Sequence, residues 1–150
     1  MPRDVLVVAA HGDDEVLGAG GTLFSHAAAG DRVHLLVFSD ADSSRHRASP
    51  RKATSRRTAI EWAAEVLGMS SVRIGATPDH QFDTFPQLDF VYEIEATLER
   101  TNPTVVYTHS LGDLASDHRV VAQATATACR PHRDGIEELL SFEVRSASDW

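Results

Sequence analysis

The chain has 150 residues, 42% hydrophobic and 24% charged, with a formal net charge of -8. That length and balance suit one folded domain over residues 1–150 and exclude a disordered chain. No apolar run is long enough to span a bilayer, which argues against stable membrane insertion, and the acidity argues against general nucleic-acid binding.

The hydrophobic period alternates between strand-like and helix-like segments along the chain. Asp4 to Ala10 reads as a buried strand. Val16 to Ala29 reads as a helix with Leu17, Gly21, Phe24 and Ala28 on one apolar face, ended by Gly30. Arg32 to Ser39 is a second strand. The basic stretch "SSRHRASPRKATSRR", Ser43 to Arg57, follows it and reads as a solvated loop entering a polar helix. Within it Arg56 and Arg57 lie nearest the ordered helix and are candidates to meet an anionic substrate.

Arg51 to Leu67 is that helix, with a seam of Ile60, Ala64 and Leu67 and a stop at Gly68; Val72 to Gly75 is a short third strand. Leu88 to Arg100 is helical, with Leu88, Val91, Ile94 and Leu98 as its buried stripe. "TVVYTH" is the fourth strand, Asp117 to Cys129 a further helix, and Leu139 to Val144 a last strand. Cys129 is the only cysteine, so it forms no internal disulfide; it reads as a core residue, and a reducing, cytoplasmic setting is expected. Pro2-Arg3-Asp4 is no start of a signal peptide. Strands separated by helices imply an α/β domain, a mostly parallel sheet with helices on both faces.

In such sheets ligands bind where loops leave the carboxyl ends of the strands. "HGDDE", "DADSSRHR" and "THSLGDLASDH" all fall at such ends. A dinucleotide site is disfavoured there: Leu23 stands where G-x-G-x-x-G needs its third glycine, and Asp13, Asp14 and Glu15 would repel a pyrophosphate. A cation removes the repulsion instead. His11 and Asp14, three residues apart across a strand-to-helix bend, can face one point, with His118 as a third ligand. Two histidines and a carboxylate suit Zn²⁺ with an open position for water, and other divalent metals accept the same set. Asp13 beside Asp14 is placed to act as general base. Glu15 is a candidate to support a ligand or backbone group, or else a surface acid at the helix start. Asp117 either orients a catalytic group or caps the helix it begins.

"AAHGDDEVLGAGGTL" resembles the A-H-P-D-D-E signature of the PIG-L/LmbE family of metal-dependent N-deacetylases. The segment from "PDHQFDTF" to "GDLASDHRVV" is similar to that family's second region, and "RTAIEWAAEVLG" and "LLSFEV" also fit its pattern. The resemblance implies a Rossmann-like fold and removal of an N-acetyl group from an amino sugar of the N-acetylglucosamine type. It assigns His11, Asp14 and His118 as zinc ligands, Asp13 as general base and Asp79 as an acid near substrate, with Arg56 or Arg57 as a substrate contact. Two positions depart from the pattern. Gly12 replaces the signature proline, and Ala115 stands where the family often carries a histidine that supports the tetrahedral intermediate. His109 is a candidate substitute for it.

Family members usually continue beyond the strand matching "LLSFEV", so a C-terminally truncated domain is one expectation. The partner expected is an N-acetylated amino sugar, and a homo-oligomer is compatible with the sequence. The alternative reading is a non-catalytic metal- or sugar-binding domain derived from the same fold.

Overall fold

The apolar run that opens the chain becomes the central strand of the molecule. In the computed structural model, which describes residues 1–40, 50–130 and 135–145, Asp4–His11 (β1) is buried along nearly its whole length. A strand covered on both faces needs no alternation of apolar and polar residues. The other strands are Arg32–Ser39 (β2), Ser71–Ile74 (β3), Val105–His109 (β4) and Glu138–Phe142 (β5). They pair in parallel in the order β3-β2-β1-β4-β5. Helices Asp14–Ala28 (α1), Pro50–Val66 (α2), Gln87–Thr101 (α3) and Ser116–Ala128 (α4) connect them, with a 3₁₀ turn at Phe82–Thr84 before α3. The fold is the α/β, Rossmann-like sandwich expected.

Two cores flank the sheet. On one face Leu6, Val8, Ala10, Leu36 and Phe38 pack with Phe90, Val91, Ile94 and Leu98 of α3 and Val121, Ala124 and Ala128 of α4. On the other, Val5, Val7, Ala9, Val33, Leu35 and Val37 pack with Ala19 and Leu23 of α1 and Ile60 of α2. β1 therefore sends its chain to one face and its neighbour β4 sends its chain to the other. Their carboxyl ends part at this switch of direction, which leaves a crevice.

Two expected helix faces are corrected. Leu17 and Phe24 of α1 are 61% and 54% exposed, and Glu15, Ala19 and Leu23 face the sheet instead. The reason is local: Asp14 Oδ2 accepts the His11 backbone N–H at 2.9 Å. That bond orients the first helical turn so that Asp14 and Glu15 face inward, in phase with Ala19 and Leu23. Leu88 is 56% exposed at the start of α3, and Phe90 takes the buried place, packing on Phe38 and Phe82 at ring separations of 5.0 and 5.2 Å. The glycine stops are as expected, since Gly30 and Gly68 adopt φ of 91° and 73° just beyond α1 and α2. Among the described residues no helix is long and apolar enough to cross a membrane. Arg45 and Arg47 of the basic stretch lie outside the described residues.

Candidate metal centre

β1 ends at His11 and β4 at His109, on either side of the crevice. Asp14 opens α1 beside them, and His118 lies in the first turn of α4. One ligand atom each from His11, Asp14 and His118 falls within 4.8 Å of the others. The focus of the group is Asp14 Oδ2, which lies 3.3 Å from His11 Nδ1, 3.2 Å from His118 Nε2 and 3.3 Å from His109 Nε2.

Electrostatics follow from that convergence. Burial disfavours an ionised Asp14, yet His11 and His118, both raised toward the charged form, outweigh it and hold the carboxyl far below the usual range. Burial likewise opposes a charged His11, but Asp117, Asp14 and Asp79 together push its pKa up to about 10. His118 is raised against its own burial by Asp14 and Asp113. His109 moves the other way, because burial dominates and pulls it down. Two imidazole nitrogens and a carboxylate oxygen at one point are a donor set that fits Zn²⁺ and similar divalent ions.

Each histidine is gripped on its far side. His11 Nε2 lies 2.9 Å from both Asp117 Oδ2 and Asp79 Oδ1. His118 Nδ1 lies 2.9 Å from Asp113 Oδ2, and Asp113 Oδ1 accepts the Ala115 N–H at 2.9 Å. Carboxylates behind ligand histidines fix ring orientation and tautomer. Asp113 escaped the sequence reading; an acid five residues before His118 in the same loop was the available signal. Asp117 does not cap α4, whose N-cap is Ala115. Besides His11, its carboxylate accepts the N–H groups of His80 and Phe82 at 2.7 and 3.1 Å. His80 adopts a left-handed φ of 59° to present its amide there.

Asp13 is exposed at the rim, where partial dehydration and the neighbouring Asp14 charge raise its pKa, with Arg56 among the charges opposing the rise. Arg57 is committed elsewhere. Its guanidinium donates to the carbonyls of Ile74 and Gly75 at 3.1 and 3.2 Å, tying α2 to β3. Glu15 is neither a surface acid nor a partner of a ligand histidine. It is 1% exposed, its Oε2 has no hydrogen-bond partner, and burial lifts its pKa to about 7. His109 lies beneath the group, stacked on His118 at 4.0 Å, with Nε2 accepting the Ala10 N–H at 3.0 Å. Its side chain has no exposure.

The turn between His11 and Asp14 has its own packing. A Cβ at Gly12 would stand 2.1 Å from Ile60 Cδ1, so the α2 side chain occupies the space of a larger residue.

Several known proteins share this arrangement of chain. The 4-oxalmesaconate hydratase of Pseudomonas putida is 29% identical over 141 residues, covering 81% of this chain and 54% of the relative. A conserved protein of Thermus thermophilus superposes with a TM-score of 0.74 at 24% identity, covering 94% of this chain and 66% of its own. The N,N'-diacetylchitobiose deacetylase of Pyrococcus horikoshii gives a TM-score of 0.72 at 22% identity, covering 83% and 48%. The chain thus spans about half to two thirds of the length of these relatives, whose names include both a hydratase and a deacetylase. Residues 6–129, from β1 through α4, match the family model described as GlcNAc-PI de-N-acetylase, and the chain belongs to this PIG-L family.

Proposed function

We propose that the chain is a metal-dependent hydrolase, with Zn²⁺ as the metal. In this reading it removes the N-acetyl group from an N-acetylglucosamine-type sugar and releases acetate and a free amine. The observation that carries the reading is the convergence of His11, Asp14 and His118 on one point within a PIG-L family chain. These three residues hold the ion. When bound, it supplies Lewis acidity and lowers the pKa of water.

Asp13 then accepts the proton of the attacking water. Its exposed position at the rim lets it face substrate, and its raised pKa brings proton affinity closer to that needed at neutral pH. Asp117 and Asp113 are positioning residues that hold His11 and His118 in the orientation ligation requires. Asp79, at the mouth beside His11, is the candidate to bind sugar hydroxyls, and Arg56 is the basic residue whose charge reaches Asp13. Ala115 supplies no donor to a developing oxyanion.

A second reading, hydration of an unsaturated carboxylate, is favoured by the 29% identity to the P. putida hydratase. One pair of assays separates the two. Metal-loaded protein is tested for acetate release from a panel of N-acetylglucosamine glycosides and for consumption of 4-oxalmesaconate. Acetate release with no consumption is the expected result. Consumption alone overturns deacetylation in favour of hydration, and metal binding with neither activity returns the non-catalytic alternative.

A further inference from the structure

The amino end of the sheet carries a second hydrogen-bonded relay, remote from the metal-ligand group. In the sheet register Leu6 lies beside His34, and His34 beside Ser71. Asp4, two residues before Leu6, therefore shares a face with both. His34 Nδ1 is 2.7 Å from Ser71 Oγ, and His34 Nε2 is 3.2 Å from Asp4 Oδ1. Arg32 binds both oxygens of Asp4, so the carboxylate stays ionised and aimed. An ionised Asp4 favours the proton on Nε2, and in the neutral imidazole Nδ1 is then the acceptor for the Ser71 hydroxyl.

Ser71 is exposed, and with His34 it lines an open groove of about 460 Å³ between the sheet and the last turn of α3. Thr97, Arg100 and Thr101 form the opposite wall. Nucleophile, base, orienting acid and substrate space are thus together, which is how such sites are recognised irrespective of fold.

We propose that Ser71, His34 and Asp4 form a second hydrolytic centre that cleaves small carboxylic esters without metal. Ser71 Oγ bonds to the ester carbonyl carbon as its proton passes to His34 Nδ1. The bond from that carbon to the alcohol oxygen breaks, and the alcohol leaves with the proton. Water then adds to the acyl-Ser71, gives a proton to His34 and releases the acid, restoring the hydroxyl. Two cations among the described residues line the groove, Arg73, which pairs with Glu93, and Arg100, which donates to Thr97 Oγ1 at 3.1 Å; Arg100 is the one assigned to the developing oxyanion. Because Arg32 shares Asp4 Oδ1, the pull on the imidazole is weakened and turnover is slow.

Covalent labelling tests this in the intact chain, with its neighbour Ser70 as internal reference. The protein is treated with an alkyl fluorophosphonate, with and without chelator, and the adducts are located by peptide mass spectrometry. Ser71 is expected to react about 10²-fold faster than Ser70, the gain a positioned base provides. The chelator should leave this ratio unchanged, and His34→Gln should reduce it to near one. Equal or absent labelling at the two serines overturns the proposal, and this arm needs no variant to fold. Loss of labelling on chelation would overturn the independence from metal.

Discussion

The two ends of the sheet solve the same electrostatic problem in opposite ways. At the amino end acids are matched by arginines: Asp4 binds Arg32, and Asp31 pairs with Arg3 at 3.5 Å while bonding His26 at 2.7 Å. At the carboxyl end Asp14 and Asp117 meet imidazoles instead: Asp14 faces His11, His109 and His118, and Asp117 faces His11. Acids at the first end are satisfied by the chain's own cations. Asp14 and Asp117 at the second meet imidazoles whose protons a metal can replace, so their charge is available to an ion from outside.

The sharpest way to break this contrast is to remove a ligand. His118→Ala should lower divalent-metal affinity by more than the roughly 10–100-fold that loss of an outer partner costs. Metal content after dialysis against a buffered ion checks it. Binding to the unaltered chain should release protons at pH 7, because His11 with a pKa of about 10 must be neutral to ligate. Calorimetry in buffers of different ionisation enthalpy reads that release.

Next in size, Asp13→Asn should cut hydrolysis by about 10²–10⁴-fold with metal content unchanged, since the amide accepts no proton. Near-normal turnover in metal-replete variant would assign the base elsewhere. Asp113→Asn should cost about 10–100-fold in metal affinity, by loosening His118 rather than removing it. Measured affinity within twofold of the parent would deny Asp113 that role.

Glu15 sharpens the comparison through stability. Its pKa rises from 4.5 to about 7 on folding, so between those values the folded chain keeps a proton that the unfolded chain has lost. Stability therefore falls as pH rises through this window and levels off above it, by about 3 kcal/mol in all. In chelator-treated protein Glu15→Gln should be more stable than the parent at pH 8, with the advantage gone at pH 4, as thermal melts at both would show. The smallest effect belongs to the amino end, where Arg3→Ala, removing a half-exposed partner of Asp31, should cost less than about 1 kcal/mol.

Much of this was legible in sequence, and what was not has physical causes. The buried run of β1 and the apolar pattern "TVVYTH" marked the two strands that bracket the crevice, and the three-residue spacing of His11 and Asp14 marked the turn between strand and helix. The buried face of α1 was misread because Leu17 and Phe24 look like a core stripe, while the bond from His11 to Asp14 sets the helix phase. Asp113 was missed because its partner is fixed by how the β4–α4 loop folds back, which no periodicity records. The relay of Asp4, His34 and Ser71 was invisible for another reason: its members are 30 and 37 residues apart and meet only through strand order.

The nesting of Ile60 against Gly12 couples two distant stretches of the gene. A side chain at position 12, including the proline usual in this family's signature, needs the Ile60 side chain to move aside. Gly12→Pro alone should cost stability as Ile60 repacks, whereas the same change with Ile60→Ala trades one volume for the other. The two codons should therefore drift together in descent, so that an ancestor or relative with proline at the first position is expected to carry a smaller residue at the second.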